Sequence, residues 1–202
     1  VGTYAVTVQW SNADGVPQTA TCTTSFQVGS FAVTPINQIQ GPGVTTPLLG
    51  QTHTTRGIVT GLKNNGFFLQ TPDASIDANA LTSEGIFVFT GGAPPAGAVK
   101  GADVLVTGTV TEFQPDPGKP PLTEIGQPGF VFQGVFSTGN PLPAAVVITA
   151  AETQVNSLEN LERREGMRVS IPSLTVISPT EGNKSEANAT STIGTPGTPV
   201  TP

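Results

Sequence analysis

The segment from Arg56 to Phe113 does most to restrict what this chain can fold into. It holds four short strand-like runs, at residues 57–60, 67–70, 86–89 and 103–113, each bounded by turn-forming residues. Lys63-Asn-Asn-Gly66 is a strong turn between the first two runs, because Asn and Gly readily take positive φ. In Phe67-Phe-Leu-Gln70, alternation puts Phe67 and Leu69 on one face and Phe68 and Gln70 on the other. The polar Gln70 marks the second face as the wet one. A long polar loop covers residues 71–84. The run Gly85-Ile-Phe-Val-Phe89 is apolar on both faces, and residues 103–113 alternate through a long strand.

Composition agrees with this reading. Twenty-four glycines and nineteen prolines punctuate a 202-residue chain, which favours many short strands joined by tight turns. Charged residues make up 11%, against about 25% in ordinary soluble proteins. The net charge is −6, with only eight Lys and Arg residues. The whole protein therefore exerts no electrostatic pull on a phosphate backbone, and any nucleic-acid binding must come from a local patch. A single cysteine, Cys22, excludes an intrachain disulfide and is expected to be a small buried strand residue. The longest apolar runs fall far short of the ~20 residues a membrane span needs.

Along the chain, residues 1–29 read as a β-hairpin. Tyr4, Val6, Val8 and Trp10 alternate with smaller or polar residues as in a half-buried strand. Residues 30–51, rich in Pro and Gly, read as a connector, in which Ile36-Asn-Gln-Ile-Gln40 suggests a short edge strand. A barrel of about five or six strands is expected over 52–178, with closing strands from 130–136 and 144–149. Residues 156–165 carry the clearest helical pattern, ended by Gly166, and a last strand is expected over 168–177. Residues 179–202 are expected to be a disordered linker or tail. The chain opens directly on strand sequence, which suggests that an upstream segment has been removed.

Particular motifs carry a family resemblance. The first hairpin, beginning Gly2-Thr-Tyr-Ala-Val-Thr-Val8, resembles the last strands of bacterial Ig-like domains. The pieces Gly66-Phe-Phe-Leu-Gln70, Thr82-Ser-Glu-Gly-Ile-Phe-Val88 and Glu165-Gly-Met167 lie within a stretch from Ile36 to Ile177. That stretch resembles the OB-fold domain preceding the catalytic domain of large secreted bacterial nucleases, of the endonuclease/exonuclease/phosphatase superfamily. Gly101-Ala-Asp103 departs from the direct Gly-Asp pair of that pattern. The resemblance implies an all-β chain: an Ig-like hairpin, then an OB-fold small barrel with one short helix. It implies an extracellular bacterial setting and a neighbouring catalytic domain in a longer polypeptide. It also implies accessory binding of single-stranded or duplex DNA or RNA. Catalysis is not expected in this chain, because such nucleases need several carboxylates and two or more histidines, and the one histidine is His53.

Candidate chemistry follows. Ser-His-Asp or Cys-His catalysis would have to use His53, and nothing nearby in sequence holds it as a base. For nucleic-acid binding across the second and third barrel strands, the matching residues are Phe68, Gln70 and Phe87, with Arg56, Lys63, Asn65 and Lys100 at the rim. Asp73, Ser75, Asp77, Asn79 and Glu84 stand at positions 1, 3, 5, 7 and 12 of a loop, the oxygen-ligand spacing of a calcium site. Ala78 occupies the position where such a loop has Gly. The alternative to binding nucleic acid is a structural spacer or protein-interaction β module. A carbohydrate-binding surface would want exposed Trp and Tyr, and the chain has one of each, both in the first hairpin.

Overall fold

A computed structural model describes residues 2–13, 19–28, 32–114, 117, 120–153, 158–173, 175–176 and 193–194. The chain is mostly β with a few short helices, and it divides into two compact units, 1–32 and 33–202.

The first unit is a hairpin of β1 (Gly2–Ser11) and β2 (Thr19–Val28), paired antiparallel from Gly2↔Val28 to Ser11↔Thr19. Its alternating side chains were expected to be half-buried. Instead Val6, Val8 and Trp10 are 44%, 56% and 57% exposed, and Cys22 is exposed as well. Two strands alone provide no second layer to bury an apolar face, which explains both corrections.

The second unit begins earlier than the sequence suggested. The expected connector packs into it. Ile36–Gln40 is a helix, α1, not an edge strand. Pro35 enters it and Gly41, at φ 72°, leaves it. Ile36 and Ile39, three residues apart, share one helical face and both join the core. Helical spacing, rather than alternation, is what buries them.

The five main strands are β3 (Thr52–Lys63), β4 (Gly66–Gln70), β5 (Gly85–Phe89), β6 (Asp103–Phe113) and β7 (Leu122–Ser137). They pair in the order β3-β4-β5-β7-β6, and β6 returns to β3, closing a barrel. Every ladder is antiparallel except β5–β7, which is parallel at Phe87↔Glu124, Val88↔Ile125 and Phe89↔Gly126. The long β7 serves two neighbours. Its start lies between β5 and β6, and its remainder pairs with β6 alone, through several register shifts. Val59, Phe67, Leu69, Ile86, Val88, Val104, Val106, Val110 and Ile125 fill the interior. The two-residue side-chain period sends their neighbours outward.

After the barrel, β8 (Val146–Val147) pairs in parallel with β9 (Val169–Ser170), and α2 spans Leu158–Glu162. The expected closing strand over 130–136 is part of β7, whereas 144–149 and 168–177 form only two-residue strands and do not enter the barrel. Thr175–Val176 pairs with Ile193–Gly194. The rest of the expected disordered tail lies outside the described residues.

Candidate nucleic-acid interface

The outer face of β4 and β5 is built by register. Phe68 and Phe87 are directly paired across the ladder, and their rings lie 4.9 Å apart at 55°. Both point away from the core, since Phe67, Leu69, Ile86 and Val88 point in. Phe68 is half-buried and Phe87 is 2% exposed. Phe87 is covered although it faces outward, for two reasons. Its ring lies over Gly66, where a Cβ would meet Phe87 Cζ at 2.5 Å. Lys63 also reaches across it, with Nζ 5.2 Å from the ring centre, within cation–π range.

Gly66 therefore does a different job from the one its turn motif suggested. The turn residues are Asn64 and Asn65, because Lys63↔Gly66 is already a ladder pair. The glycine makes room for the Val88 carbonyl oxygen, 2.2 Å from where a Cβ would sit, and for an aromatic ring. Asn65 is half-buried, and its carbonyl accepts a hydrogen bond from Thr90 N at 3.0 Å.

Glu124, on β7, completes this face. It sits beside Phe87 in the parallel ladder and is 7% exposed. Burial pushes its carboxyl up to about 7, while the charge of Lys63 pulls it back. The sequence reading misses it, because a parallel partner is not signalled by any local turn. The alternation of Thr123, Glu124 and Ile125 is the available sign that Glu124 faces out while Ile125 faces in.

The remaining expected rim residues lie elsewhere. Arg56 is seven residues from Lys63 on the same strand, roughly 20 Å away at strand rise. Asp103 holds its guanidinium through two hydrogen bonds of 2.8 and 2.7 Å, and Phe136 lies beneath it at 3.8 Å. Lys100 is exposed in the turn before β6. Gln70 was expected on the wet face and is fully buried. Its Oε1 accepts a hydrogen bond from Arg168 N at 2.8 Å, because residues 165–168 lie across this end of the sheet.

That covering strap is tightly fitted. A Cβ on Gly85 would meet the carbonyl carbon of Gly166 at 2.3 Å, and a Cβ on Gly166 would meet Ile86 N at 2.8 Å. Ser83 Oγ donates to the Glu165 carbonyl at 2.6 Å. The Glu165 side chain turns toward the barrel end, where Oε1 accepts from Thr123 N at 2.9 Å and Gln40 Nε2 at 3.2 Å. Gln40 Nε2 also donates to the Gly85 carbonyl at 2.6 Å. Burial first, and then the nearby Glu162, push the Glu165 carboxyl up to about 8; burial and the charge of Glu112 raise Glu162.

The expected calcium loop does not assemble. Asp73 accepts from Ala144 N at 3.0 and 3.1 Å, and Asp77 Oδ1 accepts from Asn79 N at 2.9 Å. Asn79 Oδ1 accepts from Leu81 N at 3.1 Å, and Glu84 Oε1 from Asp77 N at 3.2 Å. Ser75 ends a short 3-10 turn, Asp73–Ser75. The oxygens brace the loop against itself and against residue 144 instead of converging. Among the described residues, no three His, Cys, Asp or Glu side chains are placed to hold a metal ion. His53 sits near the start of β3, with Nδ1 2.9 Å from Thr34 Oγ1.

No protein-family model, curated protein or solved structure matches this chain.

Proposed function

We propose that the barrel is an OB-fold module that binds single-stranded nucleic acid as the accessory part of a secreted bacterial nuclease-like protein. In this reading it works beside a catalytic domain in a longer polypeptide and performs no catalysis itself. The strand order supports the fold assignment. Counting from β3, the order is 1-2-3-5-4 and back to 1, with strands 3 and 5 parallel. The observation that carries the function is the half-buried Phe68 ring, backed by the buried Phe87 with Lys63 over it, on the outer face of strands 2 and 3. Bases stack on such aromatics without regard to sequence, and a lysine beside them meets a phosphate.

The patch is small and the protein acidic, so the expected affinity is weak and falls steeply with salt. Fluorescence anisotropy of a labelled single-stranded oligonucleotide at low salt tests this. Phe68→Ala should weaken binding by roughly tenfold, since one base–aromatic contact is worth about 1–3 kcal/mol. Equal affinity for Phe68→Ala and the unaltered protein would remove the face from consideration.

A second reading, a spacer or protein-interaction module, draws on β7. Val131, Val135 and Phe136 are 48%, 41% and 57% exposed along its outer half. No oligonucleotide binding by the unaltered protein, together with concentration-dependent self-association that Phe136→Ala abolishes, would favour that surface instead.

A further inference from the structure

The β4–β5 face sets a cation over the Phe87 ring and a glutamate beside Phe87 in the neighbouring ladder. Lys63 is exposed at the end of β3, with Nζ 5.2 Å from the centre of Phe87. Glu124 neighbours the same residue from the β7 side. The groups around Glu124 are few. Lys63 comes from β3, Phe68 and Phe87 from β4 and β5, and Thr111 pairs with it from β6. The other nearby carboxylates turn elsewhere. Glu112 and Glu165 both accept hydrogen bonds from Thr123, the adjacent residue on β7, which is buried at the barrel end. Lys63 is therefore the charge that acts on Glu124, and burial makes its proton exchangeable near neutrality, at about 7.

We propose that Glu124 is the counterion of Lys63 and gates this face, so that single-stranded nucleic acid binds more tightly as the medium becomes acidic. This rests on the nucleic-acid reading given above. With Glu124 ionised, its charge offsets that of Lys63 and repels an approaching phosphate. With a proton on Glu124, Lys63 carries an unopposed positive charge beside the ring pair, and a strand stacked on Phe68 gains a phosphate contact. Binding in the neutral range thus takes up a proton at Glu124, and no other bond is made or broken.

Two measurements decide this. The first is anisotropy of labelled oligo-dT at low salt, at pH 6 and pH 8.5. The unaltered protein should bind roughly three- to tenfold more tightly at pH 6. Glu124→Gln should bind at the tighter level at both pH values, and Lys63→Ala weakly at both. A pH slope that survives in Glu124→Gln would overturn the gate while leaving the nucleic-acid reading intact. Absence of binding at either pH in every protein would overturn the reading itself. The second measurement needs no ligand. Carbon-13 NMR of the Glu124 carboxyl should show its titration midpoint rising in Lys63→Ala. An unmoved midpoint would sink the Lys63–Glu124 pairing whatever the oligonucleotide does.

Discussion

The two ends of the β4–β5 sheet use the same strands and are closed in different ways. At the Gln70–Gly85 end, backbone meets backbone: Gly85 and Gly166 leave no room for even one methyl group, and Gln40, Ser83 and Gln70 each bond to the strap or beneath it. At the Gly66–Phe89 end, the outer face is covered by side chains, with Lys63 and Phe68 against Phe87. Side chains change rotamer in nanoseconds or less, whereas opening packed backbone requires local unfolding. The first end is thus fixed architecture, and the second is where a ligand can enter. Each end also holds a glutamate with a raised proton affinity, but the neighbours differ. Glu124 faces a lysine, and Glu165 faces Glu162.

The largest expected effect tests the backbone seal. Gly85→Ala should destabilise the barrel by on the order of 3 kcal/mol, at the upper end of what overpacking costs, because its neighbours are backbone atoms that cannot turn aside. Urea unfolding would measure it. A midpoint within error of the unaltered protein would mean that the strap yields, and the contrast between the two ends would collapse.

The next effect concerns pH. Glu165 and Glu124 both hold protons more tightly when folded than when unfolded. The folded state therefore binds more protons than the unfolded state above the ordinary glutamate range. This contribution to stability is fully present below about pH 4.5 and is lost as pH rises through about 7 for Glu124 and about 8 for Glu165. Thermal melts across that window should show falling stability, and Glu165→Gln should flatten the upper part of the curve. An equally steep fall in Glu165→Gln would place the proton elsewhere.

The smallest effect sharpens the position of the binding face. Arg56→Ala removes an ion pair that is partly exposed, worth at most about 1 kcal/mol, and one remote from Phe68. Oligonucleotide affinity should hardly change, whereas Phe68→Ala lowers it. An Arg56→Ala loss as large as that of Phe68→Ala would extend the face along the whole of β3.

Much of this is legible because β structure writes itself in alternation. Period alone assigns Phe67 and Leu69 to one face of β4, and both are in the core. The Phe68–Phe87 pairing needs only two short strands joined through a loop. Gln70 misleads because its polarity argues for water, while the group that bonds its Oε1, the backbone N–H of Arg168, comes from 98 residues away. α1 misleads because five residues between a proline and a glycine fit a strand as well as a helical turn. The carboxylates of 71–84 have the right spacing for calcium, but spacing does not determine where side chains point. Here Asp77 and Asn79 bond to backbone two residues on, as short polar side chains do in turns.

The ring of ladders is complete by Ser137, whereas the strap that seals it arrives after residue 164. Barrel and cover thus come from separate stretches of chain, joined through residues 138–164. A protease cut at the exposed Thr138 or Gly139 would sever that link without removing any strand pairing from the ring. The two pieces would stay together through the glycine contact and the bonds to Gln70, Ser83 and Thr123. The molecule is in this sense already divided into a vessel and a separately made stopper.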